Sequence, residues 1–517
     1  MRRSGFAALV IGFLALCAGP GAAETWNVEQ DGSGDFLTIQ AAIDAASSGD
    51  LVLVGPGRYT DLHEDEEGAP TIVALKSGVE IRSTDGPDAT ILDAEAEGER
   101  RAVSAYGVDN GSRLAGFTIR GGDAPTGGGV YLYASEAHIT GNRVVDNLAG
   151  EGAGIACDGP GTPRIEGNEV RDNVACCGPG GGILCTGGSS AEIIANVVER
   201  NEGFGGGGIG LSQAGAPLVA ENEVGRNVGL SGGGLAVIAT AARVERNRIV
   251  ENEAQSGGGI ISWSGGGATF SHNVVARNRS IGDGGGYHIS ADAPLLENET
   301  VVANSSFLGS GIFVWNNAAA RIEKCIVAFN LDGEGIYADD PGSVPSVQCC
   351  DVFGHDLGDY GGFLDDQTGV ASNLSVDPRF CDRENDDYRL QDRSPLRLLV
   401  DAAGSGCGLR GALEDRCDRL ETRAAAGEDA GTGAWIAVPN PAGEAVRLLA
   451  AEGSAEELPP RLVVVDVRGR RVRTLLVGAE GTPVWDGRDA RGRPVANGLY
   501  LLTGTDGRVL SRVLLRR

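Results

Sequence analysis

Basic residues, aromatics and methionine are all scarce in this chain. Lys and Arg number 43 against 71 Asp and Glu, a formal charge of −28; aromatics make up 5% and there is one Met. Such a charge excludes nucleic acid as a partner, because phosphates need a basic surface, and it argues equally against docking on anionic lipid. Cation binding and solubility are what an acidic surface favours. Past the N-terminus no apolar run approaches the ~18 residues of a membrane helix, so no transmembrane span is expected. Also missing are a Ser-His-Asp order, a phosphate loop and a paired Cys-x-x-Cys. Glycine, by contrast, is abundant at 83 residues, and apolar content is 41%, too high for a disordered chain. Many tight turns around a real core fit both numbers.

Arg2 and Arg3 precede the apolar run 6–18, and Gly21-Ala22-Ala23 offers small residues for cleavage. Residues 1–23 therefore read as a secretory signal peptide, with the product outside the cell or on the outer-membrane surface. A lipoprotein would use Cys17, but the bulky Leu16 before it fits poorly. Ten of the 11 cysteines remain after cleavage. In an oxidising compartment that predicts several disulfides, buried free thiols being the alternative.

The main signal is a repeat. Glycine clusters that precede an apolar residue end at Gly129, Gly154, Gly182, Gly208, Gly234, Gly259, Gly286, Gly311 and Gly335. A second ladder runs through Asn142, Asn168, Asn196, Asn222, Asn247, Asn273 and Asn298, each followed by another Asn five residues on, or six at Asn304. Two markers in phase define a solenoid with a period of about 25 residues. Segments such as Arg164-Ile165-Glu166 alternate with period two, which excludes helical repeats, and the fixed leucines of a leucine-rich repeat are missing. The prediction is an all-β chain: a right-handed parallel β-helix of three sheets, about nine marked rungs long, with glycine and asparagine at the corners. After each glycine cluster the first and third residues are almost all apolar (Val130 and Leu132, Ile209 and Leu211) and should line the core; the second and fourth should point out.

Glu29–Asp44 (EQDGSGDFLTIQAAID) with Gly49–Tyr59 (GDLVLVGPGRY) resembles the opening of pectin-methylesterase-like secreted β-helix proteins. That resemblance implies an amphipathic capping helix, and Ile39, Ala42, Ile43 and Ala46 do share a helical face. Asp377–Leu390, Ser394-Pro395 and Cys407–Ala412 resemble the closing segment of the same group, giving a β-helix domain over 24–417 within the pectin-lyase-like superfamily. The catalytic motifs of pectin methylesterases, polygalacturonases and pectate lyases are not found, so only the fold carries over. Residues 418–434 read as a linker. Over 435–517, Pro439-Asn440-Pro441, Leu462–Leu475 and Val484–Leu501 resemble the Ig-like domain of flagellar hook-capping (FlgD-like) proteins and type IX secretion sorting domains. A small Ig-like β-sandwich is implied, with secretion or sorting machinery as its partner.

Chemistry is expected on the outward rows after the glycine clusters, which carry Tyr131 and Tyr133 at one end and Trp263, Phe313, Trp315 and Tyr337 toward the other. Aromatics on one outward face stack on sugar rings, so an extracellular polysaccharide or cell-surface partner is the expected ligand, the alternative being that loops cover them. For catalysis the candidates are His288 and Asp292 with Asp339 and Asp340 two rungs on. Asp158 and Asp339, seven rungs apart, stand more than roughly 30 Å from each other and cannot act as a glycosidase pair. Asp382, Glu384, Asp386 and Asp387 are candidate Ca²⁺ ligands, with a solvated turn as the alternative. Cys157 and Cys185, on adjacent rungs, and Cys176-Cys177 between them suggest two disulfides, while Cys325, Cys349, Cys350, Cys381, Cys407 and Cys417 would staple the C-terminal cap. Two functional classes stay open: a non-catalytic glycan-binding, adhesion or scaffold protein displayed through its C-terminal domain, and a polysaccharide lyase, hydrolase or esterase with an unrecognised site.

Overall fold

A 25-residue repeat cannot bury its own apolar side, so each turn of chain must stack on the next. In the computed structural model it does. The structure describes residues 23–96, 98–397, 407–413 and 417, then 435–438, 446–450, 461–466, 471–476, 484–495, 498–504 and 509–515. The signal peptide and the linker thus lie outside the described residues, apart from Ala23. Two units divide the chain, 1–417 and 418–517.

The first unit is a parallel β-helix. Sheet I has 13 strands, from Thr25–Val28 to Ser346–Gln348; sheet II has 12, from Gly57–Tyr59 to Asp351–Phe353; sheet IV has 13, from His63–Glu64 to Tyr360–Gly362. These three sheets run its length, and the solenoid extends beyond the nine marked rungs at both ends. A fourth, sheet III, adds seven short strands from Asp123–Thr126 to Arg279–Asp283 just before the glycine clusters. The helix Ile39–Ala45 closes the N-terminal end, burying Ile39, Ala42 and Ile43. Inside, the first and third residues of each sheet IV strand stack in register: Ile155, Ile183 and Ile209 are paired in turn and fully buried.

Both asparagine ladders sit at buried corners. In each, the backbone N–H and Nδ2 of one Asn donate to Oδ1 of the Asn a rung later, as Asn196 does to Asn222 at 2.9 and 3.0 Å. The first ladder departs from the expected one at its last member. Asn298 is out of line: it adopts φ 55° and donates to the Leu409 carbonyl, while Glu299 takes the ladder position and accepts both donors of Asn273. Cys325 and Cys350 then continue the row. Their thiols donate to Leu296 and Ile322 carbonyls as an Asn amide would, and Cys350 Sγ accepts from Cys325 N–H. The second ladder runs on from Asn304 to Asn330 and ends on His355.

The cysteine expectations are corrected accordingly. Cys157, Cys185, Cys325 and Cys350 are buried free thiols. Cys176 and Cys177 bond to each other, and the remaining bridges are Cys349–Cys407 and Cys381–Cys417. Parallel neighbours aim their Cβ atoms the same way, which explains why stacked Cys157 and Cys185 do not join. Cys349–Cys407 ties the closing segment to the last turns of the solenoid, and Cys381–Cys417 joins two parts of the segment itself. Phe380, Tyr388, Leu390, Leu396 and Ala412 pack onto Val274, Val302 and Ile326 of sheet II, and Asp386 reaches back to Arg248 and Arg277.

The second unit contains two antiparallel sheets. One has three strands, Trp435–Val438, Val446–Ala450 and Val484–Trp485; the other has four, within 461–515. Buried Trp485 of the first meets Tyr500 of the second edge to face, with centroids 5.0 Å apart.

Candidate functional site

Sheet IV presents its second and fourth residues outward, but the two rows differ. Before the strands from Val130–Tyr133 to Ile312–Trp315 the chain turns sharply at a glycine with positive φ, and the second-row residue follows four positions later. A Cβ on Gly284 would sit 2.8 Å from that of His288, and one on Gly309 would sit 2.9 Å from that of Phe313. The turns that lead into sheet IV therefore pack against the second row. Tyr131, His288 and Phe313 are 7%, 5% and 2% exposed, whereas Tyr133, Trp263 and Trp315 in the fourth row are 42%, 45% and 46% exposed. Tyr337, beyond the end of sheet III, is half-buried. The six aromatic candidates thus split into buried supports and exposed platforms.

At the N-terminal end, Tyr106, Tyr131 and Tyr133 cluster with centroids 5.7–6.4 Å apart, and the Arg101 guanidinium lies 4.5 Å over the Tyr131 ring. Arg101 pairs with Asp65 at 3.3 Å; the Tyr106 hydroxyl donates to Asp65 and that of Tyr131 to Asp158. Burial first, and then the neighbouring carboxylates, raise both phenols above their ordinary range, so they act as neutral donors. Asp65 and Arg101 were missed because the run His63–Glu67 has the composition of a solvated loop. Instead His63–Glu64 add an antiparallel strand to the sheet, and the turn after it places Asp65 beside Arg101.

At the other end, His288 Nδ1 and Asp283 Oδ1 are 2.7 Å apart. His288 also packs on Phe313 at 5.1 Å and Trp315 at 6.5 Å, and Phe313 stacks on Tyr337 at 5.9 Å. Burial pushes the Asp283 carboxyl up, but the His288 hydrogen bond and charge, with Ser256, pull it further down, leaving it lowered. Asp283 was not foreseen: the strand Arg279–Asp283 carries an extra residue relative to Glu253–Ser256, which shifts it into line with Ser256. One signal was available, since a polar residue precedes several of the corner glycines (Thr126, Glu151, Ser231, Ser256, Asp283).

The other expected acids do not join His288. Asp292 is buried, accepting from Ser262 Oγ at 2.6 Å and from the Gly267 and Ala293 amides. Asp340 caps its turn through Ser343, Asn316 and Gly342, and Asp339 is exposed just past its strand. Nor do the four candidate cation ligands converge. Asp382 caps a short helical turn, Asp386 holds Arg248 and Arg277, Asp387 pairs with Arg389, and Glu384 offers its carbonyl to Arg277. Among the described residues no three His, Cys, Asp or Glu side chains could hold a metal ion.

The family model described as "Right handed beta helix region" matches residues 74–224 and 207–374, more than half the chain. The chain belongs to the right-handed β-helix family. Among solved structures, this β-helix is similar to the crystal structure of pectate lyase Pel9A, at 13% identity and TM-score 0.41, covering 73% of this chain and 91% of that one. It is also similar to the Dettilon tailspike protein gp208, at 14% identity and TM-score 0.37, covering 66% and 64%. No curated protein matches the chain. No described helix of this β-helix protein is long and apolar enough to cross a membrane.

Proposed function

We propose that this β-helix is an exported, non-catalytic glycan-binding protein of adhesive or scaffold type, gripping an extended polysaccharide along the fourth row of sheet IV. In this reading its C-terminal unit, 435–517, is an Ig-like sorting domain that delivers it to the surface. The supporting observation is that Trp263 and Trp315 are about half exposed on the outward side of sheet IV, where the Trp315 ring packs edge-on against His288, itself packed on Phe313. Large exposed aromatics on a rigid face are costly in water unless something covers them, and a sugar ring offers an apolar face with a polar rim. A glycan array followed by affinity electrophoresis tests this. Trp263→Ala with Trp315→Ala should abolish retention on the positive glycans while leaving the unfolding temperature within a few degrees; unchanged retention removes the reading.

An enzymatic reading has one observation in its favour: Asp283 orients His288 as a general base would be oriented. Incubation with a polysaccharide panel distinguishes the two. New reducing ends or unsaturated products that disappear in His288→Ala would establish catalysis in place of simple binding.

A further inference from the structure

The exposed aromatics of sheet IV recur at a fixed step. Trp263 pairs in register with Ser290, and Ser290 with Trp315. Val314 pairs with Ala338 and Ala338 with Gly362; Asp339 follows the first, and Phe363, just past the positive-φ turn at Gly362, follows the second, with its N–H on the Ala338 carbonyl. Phe363 is 57% exposed. Aromatic platforms thus alternate with small or polar residues: Trp263, Ser290, Trp315, Asp339, Phe363. Rungs are about 4.8 Å apart, so the platforms are about 10 Å apart along the solenoid axis.

Resting on the glycan-binding reading above, we infer that the ligand is an uncharged, β-1,4-linked hexopyranose chain lying parallel to the solenoid axis, with every second sugar on an aromatic platform. In such a flat ribbon each sugar is flipped relative to the next, so like faces recur every second residue, over about the same length as two rungs. An α-1,4-linked chain coils and cannot lay successive like faces on a straight column. Charge decides between neutral and acidic chains. The outward residues of strands Ile260–Trp263, Tyr287–Ser290, Ile312–Trp315 and Ile336–Ala338 include no Lys or Arg, while Asp283, Asp339 and Asp340 flank them in a chain of net charge −28. A polyuronate would meet like charge with no cation to offset it. From Trp263 to Phe363 is four rungs, about 19 Å, so five sugars touch all three platforms and three sugars touch two.

Calorimetric titration with cellohexaose, chitohexaose, maltohexaose and hexagalacturonate tests this. One or both of the β-1,4-linked neutral hexamers should bind, and the other two should not. Trp315→Ala should weaken that binding about tenfold, the loss expected for one stacked ring. Phe363→Ala should weaken the hexamer more than the corresponding trisaccharide, which can still lie on Trp263 and Trp315. Spacing is tested separately by combining Trp315→Ser with Ser290→Trp, which keeps two tryptophans but sets them one rung apart; it should bind as weakly as Trp315→Ala. A swapped protein that binds at native strength, or a preference for hexagalacturonate or maltohexaose, overturns the inference while leaving a glycan-binding face in place. Binding of no glycan at all overturns both.

Discussion

An asparagine side chain carries the same donor and acceptor as a peptide group, which is why it can extend a backbone ladder sideways through a corner. Asn222 shows how much each member carries. It accepts two bonds from Asn196 and donates to Asn247 and to the Ile193 carbonyl, all out of water. Asn222→Ala leaves two buried donors of Asn196 unpaired, and each such orphan costs about 1–3 kcal/mol. Chemical denaturation should therefore show a loss on the order of 3 kcal/mol, well above the effect of an exposed neighbour such as Glu221→Ala. Glu299 departs from asparagine in this row, as Cys325 and Cys350 do after it, and it is the pH-dependent member. It is fully buried, and burial raises its carboxyl from the ordinary 4.5 to about 8 despite hydrogen bonds from Tyr287 and Asn273. Between those two values the folded protein keeps a proton that the unfolded chain has released. Its contribution is therefore complete below about pH 4.5 and is lost as pH rises through about 8. Glu299→Gln removes this dependence. Its unfolding temperature should fall less than that of the native protein between pH 5 and 9, and parallel curves would show that Glu299 is not the titrating group. The sequence revealed the asparagines by their regular spacing but placed the seventh at Asn298. A run of Asn-Glu offers an Asn one residue early: Asn298 takes the positive-φ corner that precedes each ladder member, as Glu221 does before Asn222, and Glu299 falls in the ladder position.

At the scale of elements, what the sequence revealed and what it hid follow the range of the contacts. Strands of sheet IV repeat their inward pair every turn, so the core and its facing could be read from local alternation. Sheet III could not be read so easily, because its inward residues are Ala or Gly (Ala149, Ala175, Gly203, Gly229, Ala254) and give little hydropathy contrast. The aromatic face was legible as a set of residues, but its division into supports and platforms depends on how the turns that lead into sheet IV pack against the second row. The closing segment was hidden more deeply still. Its ion pair from Asp386 to Arg248 spans 138 residues, and nothing local announces which flank it covers. That segment holds sheet II through apolar burial, and one disulfide, Cys349–Cys407, ties it to the solenoid, so its removal should be felt along that flank. Replacing Cys349 and Cys407 by Ser opens a bridge between residues 58 apart and should cost about 2–4 kcal/mol. Hydrogen exchange should then quicken in Thr300–Val302 and Ile326–Ala328, which the segment covers, and remain slow in Ile183–Cys185, which it does not reach.

Across the whole molecule, stability in a stacked chain is a sum over rungs and the interfaces between neighbours, so one rung can be removed without unmaking the rest. The 26 residues Ile183–Gly208 make a clean unit for such a removal. Gly182 would lead directly into Ile209 as Gly208 now does, Asn168 would meet Asn222 in place of Asn196, and Asn173 would meet Asn227. The excised rung lies outside both the reach of the closing segment, which ends at Arg248, and the column from Trp263 to Phe363. The shortened protein should fold cooperatively, carry a β-helix about 4.8 Å shorter, and keep its affinity for whatever glycan the native chain retains. A globular core would tolerate no such excision, because its contacts are not confined to neighbours. Loss of folding would show that the rungs are not interchangeable. Loss of binding with folding intact would place part of the ligand's contact N-terminal to Trp263, toward Phe204 or Tyr133, which are also exposed.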